Sequence, residues 1–111
     1  MTHQYCYFKF DGNIDSVRSA IEDVLGFRLS ERDSSYWGGT YFQFRDGSSD
    51  FRLQLHRNMD HRGEWINSEF TGSHVLCSIG GPVETVNMFV AKIIGAGGGL
   101  LATRTKEIED E

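Results

Sequence analysis

Between Tyr36 and Asn58, apolar and polar positions alternate more densely than anywhere else in the chain. Thr40, Phe42 and Phe44 share one face of a first arm, and Phe51, Leu53 and Leu55 share one face of a second, with Arg52, Gln54 and His56 opposite. The pattern predicts a β-hairpin with one face in the core and the other, His56 included, in water. Asp46-Gly47-Ser48-Ser49-Asp50 has the composition of a short hairpin loop, and Gly38-Gly39 permits a bend or bulge before the first arm. Two apolar strips of this strength need covering elements.

The flanking chain supplies them. Tyr5 to Phe10 alternates, with Cys6, Phe8 and Phe10 on one side, and reads as a first strand that Asp11-Gly12 ends. Asn13 then caps a helix whose apolar positions, Ile14, Val17, Ile21, Val24 and Leu25, recur at helical spacing up to a C-terminal Gly26. Phe27 to Glu31 is a short candidate strand and Arg32 to Ser35 a polar loop into the hairpin. A helix between two strands implies a crossover, right-handed if the strands are parallel neighbours. Met59 to Ser73 keeps neither period for long and reads as an ordered loop of unusual length, a candidate functional surface. His74 to Ile79 forms another strand. Pro82 opens a second helix with Val83, Val86, Phe89, Val90, Ile93 and Ile94 as its apolar stripe. Leu100 to Thr105 makes a final strand, and Lys106 to Glu111 is a charged tail expected to fray. The order β-α-β-β-β-β-α-β predicts a single α+β domain over residues 1–111. An antiparallel-dominated sheet would carry both helices on one face, in the spirit of a ferredoxin-like fold with extra strands.

Composition changes this picture little: 39% hydrophobic and 24% charged residues are ordinary for a globular domain. No apolar run is long enough to span a bilayer, and the N-terminal residues lack the pattern of a signal peptide, so no membrane association is expected and a cytoplasmic location is. The net charge of −5 disfavours nucleic acid as a partner and favours a basic protein.

Candidate chemistry is sparse. The glycines from Gly95 to Gly99 follow a helix, whereas a phosphate cradle precedes one, so they read as a cap and turn. His56, His61 and Glu64 lie close in sequence but lack the helical i, i+4 placement that fixes two imidazoles on a metal, and they read as solvated side chains. Cys6 and Cys77 alternate with core positions and read as buried, reduced thiols rather than nucleophiles. No catalytic residue, metal ligand or cofactor is expected.

Two families are similar to parts of the chain. Leu25-Gly26-Phe27, followed by a strand and the hairpin, resembles the βαβββ module of the glyoxalase and vicinal-oxygen-chelate family over about the first 57 residues. That resemblance implies a metal-dependent enzyme, although a strand position where a ligand Glu is common holds Gln54 or His56, and there is no second module. Tyr36-Trp37-Gly38-Gly39-Thr40-Tyr41, Leu53-Gln54-Leu55-His56-Arg57-Asn58, Glu69-Phe70, His74-Val75-Leu76 and Leu100-Leu101 resemble the small acidic immunity proteins of contact-dependent growth inhibition and other polymorphic toxin systems, over residues 36 to 105. This second resemblance implies a cytosolic, non-enzymatic protein that binds and neutralises one cognate toxin, often a nuclease.

Nuclease toxins carry basic clefts for phosphate, which carboxylates around an aromatic anchor would complement. Two stretches have that composition: Asp33, Tyr36 and Trp37 in one, and Asp60, Glu64, Trp65 and Glu69 in the other. Each tryptophan can equally be a core plug. The favoured expectation is an immunity protein that covers a nuclease active site or a nearby surface; the alternative is a glyoxalase-like enzyme.

Overall fold

The hairpin forms where the alternation puts it. In a computed structural model, which describes residues 1–108, Phe42 lies opposite Leu55 and Phe44 opposite Leu53 across strands β3 (Gly39–Asp46) and β4 (Phe51–Arg57). The Asp46 carboxylate closes the intervening loop by accepting from the Ser48 amide and from the Ser48 and Ser49 hydroxyls; the Ser48 hydroxyl bond leads in holding this carboxyl below its usual range.

The remaining elements are β1 (Thr2–Phe10), α1 (Ile14–Leu25), β2 (Ser30–Ser34), β5 (Val75–Pro82), α2 (Val83–Gly95) and β6 (Gly99–Glu107), with single 3-10 turns at Ser35–Trp37 and Ser68–Phe70. All six strands join one sheet in the order β2-β3-β4-β5-β1-β6, and every pairing is antiparallel. The expected α+β architecture is therefore present. The possible parallel crossover is not: α1 carries the chain from β1 across the sheet to the far edge, where β2 pairs only with β3.

Both helices lie on one face. Asn13 caps α1 by accepting from the Ser16 amide at 2.9 Å, and Gly26, at φ 80°, ends it in the left-handed conformation that glycine adopts without a Cβ penalty. Ile14, Val17, Ile21 and Leu25 from α1, and Val86 and Ile93 from α2, meet Cys6, Phe8, Phe42, Leu53, Leu55, Cys77 and Ile79 of the sheet in one apolar core. Aromatic rings complete it: Phe27 stacks on Phe44 at 4.1 Å between centroids and Phe51 on Phe89 at 4.3 Å. Ile94 of the expected stripe instead faces solvent.

Several boundaries differ from expectation, three of them with a physical reason. The second strand starts at Ser30, and Phe27 packs against the core instead of opening a strand. Its residues, Ser-Glu-Arg-Asp-Ser, carry no apolar period because an edge strand is set by main-chain pairing and benefits from charge. Pro82 ends β5 and precedes the first helical residue rather than occupying it. Lys106 and Glu107 belong to β6, where the Glu107 carboxylate accepts from the Thr2 hydroxyl at 2.7 Å and from the chain's amino group at 3.3 Å. The rest of the charged tail, Glu109 to Glu111, lies outside the described residues. Among the described residues no helix is long and apolar enough to cross a membrane.

Cys6 and Cys77 are both free and sit on the core face, and burial pushes the Cys77 thiol well above its usual range. Neither is expected to react with a maleimide until denaturant is added. Labelling of the native protein within minutes would mean that a thiol is accessible.

Candidate functional site on the helix-free face

Alternation along the strands leaves a second face without helices. Directly opposed residues point the same way, so two rows cross the sheet: Arg45, Arg52, Gly80, Tyr5 and Arg104, and beside them Gln43, Gln54, Ser78, Tyr7 and Ala102. Gly80 is required in the first row, because a Cβ there would sit 2.7 Å from a ring carbon of Tyr5. Arg52 lies over the Tyr5 ring at 5.7 Å and Arg104 over the Tyr7 ring at 5.4 Å.

One end of this face is roofed by the turn Ser35–Trp37 and by the long segment between β4 and β5. Asn58 organises the roof. It is fully buried, its side-chain amide donates to the carbonyls of Asn67 (3.2 Å) and Phe70 (3.1 Å), and its Oδ1 accepts from the Asn67 amide at 2.7 Å. Main-chain bonds from Asn58 to His74 and from Ile66 to Asn58, with a bridge between Met59 and Trp65, complete the segment. The expectation of an ordered loop holds. Gly38, at φ 77°, is where turn and loop touch: a Cβ would meet the Met59 carbonyl oxygen at 2.7 Å.

His56 departs from the sequence reading. It does point away from the core, yet it is only 5% exposed because Trp37 packs on it at 4.6 Å. Its Nδ1 lies 2.7 Å from the Arg57 carbonyl; since a carbonyl only accepts, Nδ1 carries the proton and donates. Burial lowers the imidazole's pKa below its usual 6.5, against a smaller upward pull from that bond. The sign follows: with a folded pKa below the unfolded one, stability is full above about pH 6.5 and is lost as pH falls through the folded value, because the unfolded chain takes up the proton first. Urea titrations from about pH 8 to about pH 5 should show this decline, and His56→Gln should flatten it relative to the parent. An identical slope in the variant would assign the acid sensitivity elsewhere.

Under the roof is a cavity of about 390 Å³, lined by Tyr7, Tyr36, Trp37, His56, Ile66 and Leu76 among others. It shares Tyr7, Gln54 and Ser78 with a second cavity of about 200 Å³ that reaches Tyr5, Arg45 and Arg52, so the two form one groove along the face. Tyr36 stands at its lip, 69% exposed, with its ring edge-on to Trp37 at 4.8 Å and 90°.

The residues expected at a partner surface are distributed unevenly about this groove. Tyr36 and Trp37 are together at the lip. Asp60 turns inward on its own loop: its carboxylate accepts from the Arg62 and Glu64 amides at 2.8 and 3.0 Å, the Glu64 bond leading in holding it below the usual range. The Arg62 guanidinium lies 3.5 Å from both Asp60 and Glu64. Glu69 is paired with Arg104, and Trp65 packs against His74 at 5.2 Å. Asp33 is exposed but opposite Thr40, on the helix side of the edge strand and away from the other three carboxylates. Composition marks none of Tyr5, Tyr7, Arg45, Arg52 and Arg104 as a site residue, although alternation sets Arg52 on this face. The signal was present in the same alternation that located the core, since each lies on the opposite phase of its strand.

Among the described residues no group of three or more His, Cys, Asp and Glu side chains is placed to hold a metal ion. Gln54 lines the groove, and His56 is bonded through Nδ1 to the Arg57 carbonyl. The face presents aromatic rings, arginine side chains and amides along one sheet. No protein-family model and no curated protein matches the chain.

Proposed function

We propose that this chain is an immunity protein: a cytoplasmic, non-catalytic binder that neutralises a cognate nuclease toxin by covering its active site or a nearby surface, using the helix-free face and its roof. The observation that carries the reading is Tyr36, a large aromatic side chain 69% exposed yet braced through Trp37 on the buried His56. A fixed ring with few torsions loses little conformational entropy on binding, which is why Tyr and Trp dominate interface hot spots. The groove behind it is lined by Tyr and Arg, residue types enriched in the same role. The net charge of −5 supports attraction to a basic nuclease, with Asp60, Glu64 and Glu69 at the loop rim.

Co-expression with a nuclease toxin domain, sought first in the adjacent reading frames, tests it: growth should be restored and a stable complex isolated. Tyr36→Ala is expected to speed dissociation of that complex by about tenfold or more while leaving association within a few-fold. Amide replacement of Asp60, Glu64 and Glu69 should slow association and flatten its salt dependence, whereas Asp33→Asn, on the helix side, should have a smaller effect on both. Absence of both rescue and complex would remove the reading.

A further inference from the structure

The chain is acidic overall, but the second cavity of the helix-free face is not. Arg45 and Arg52 are direct cross-strand partners on that face, both exposed to solvent, and both line the cavity of about 200 Å³. Like charges placed opposite one another on a sheet repel. Among the described residues neither arginine has an ion pair, and no carboxylate lines this cavity. The nearest acid along the strand, Asp46, alternates to the other face and is occupied by Ser48 and Ser49. The side chains of Gln43, Gln54 and Ser78 reach the same space and, among the described residues, make no hydrogen bond to protein. Tyr5 is held over Gly80 as one wall.

We propose that this cavity is an oxyanion subsite that takes a carboxylate presented by the partner protein. Two guanidinium forks and neutral amide donors match a planar, two-oxygen anion, and the ion removes the repulsion between the arginines. The partner's identity rests on the immunity reading. A nuclease whose basic cleft holds divalent metal on carboxylates presents both charges at once, the cations meeting the acidic rim and a carboxylate meeting Arg45 and Arg52. The subsite itself is a property of this chain and is testable without the partner.

The probes are N-acetylglutamate amide, inorganic phosphate and chloride, titrated at matched ionic strength into the full chain while the arginine Nε–H and backbone amide resonances are followed. The carboxylate should give saturable shifts at Arg45, Arg52 and Gly80 that chloride does not. Arg45→Gln and Arg52→Gln should each weaken that binding by about tenfold, the loss of one charge-assisted fork, whereas Arg32→Gln, an equal loss of charge on the same face, should leave it within about twofold. Retained amide spectra establish that each variant is folded. Saturable binding of phosphate but not of the carboxylate would overturn the assignment in favour of a phosphate-bearing ligand. No saturable shift with either, or equal weakening by Arg32→Gln, would overturn the subsite altogether. In complex with the toxin, Arg45→Gln and Arg52→Gln should each accelerate dissociation by about tenfold. A complex that forms and is indifferent to both would leave the immunity reading intact and overturn this subsite's part in it, while carboxylate binding without toxin neutralisation would support the subsite and remove the immunity reading.

Discussion

Phe42→Ala is expected to destabilise the fold by about 3–5 kcal/mol. Phe42 is fully buried, pairs across the hairpin with Leu55, and carries the guanidinium of Arg18 from α1 at 4.7 Å from its ring centroid. Truncation removes the transfer free energy of the ring and leaves a cavity between sheet and helix that a close-packed β-sheet cannot collapse to fill. It also removes the ring face on which the Arg18 guanidinium rests. A urea titration measures the loss; a change below about 0.5 kcal/mol would mean that Phe42 does not face the core.

Asn58→Ala should cost roughly 2–4 kcal/mol, although it deletes only an amide. Its carboxamide satisfies one main-chain N–H and two carbonyls at Asn67 and Phe70, and all three partners lose it together. Water can reach the loop and recover part of that loss, so the effect falls short of three independent unsatisfied groups. Asn58→Asp should be no milder, since a carboxylate would then face two carbonyl oxygens. The distinguishing readout is hydrogen exchange: the Ile66 and Asn67 amides should lose protection while the strands keep theirs, because the roof opens before the sheet does. Uniform loss of protection across the sheet, or none at Asn67, would contradict the role of Asn58 as the loop's organiser.

The fold was legible because most of its strands alternate and both helices show a stripe, so positions such as Phe42, Leu53, Ile21 and Val86 could be assigned to one core from spacing alone. β2 was misplaced because a solvent-facing edge strand carries no apolar period to read. His56 was misjudged for a different reason: strand phase correctly sets it on the non-core face, but burial there depends on Trp37, which arrives from a turn preceding the hairpin. Asn58 had no signal at all, since a polar residue at a strand end is ordinarily wet, and only the closing of its own loop encloses it. The expected partner residues were chosen by composition, and composition cannot tell a free carboxylate from one already turned onto its own backbone, as Asp60 is, or clasped by a distant strand, as Glu69 is by Arg104.

The position of β1 in the sheet bears on how the protein is made. Of the six strands it is synthesised first, yet it lies between β5 and β6, the two synthesised last. The β2 to β5 meander can assemble from neighbouring segments as it leaves the ribosome, whereas Cys6, Phe8 and Phe10 must wait for residues near the other end of the chain. During elongation this apolar strand is therefore an unpaired template, and its capture by β5 and then β6 is the step at which a chaperone would matter most. A nascent chain stalled before Gly99 would hold β1 as an open edge, and translation pauses before β6 has emerged would lengthen that exposure.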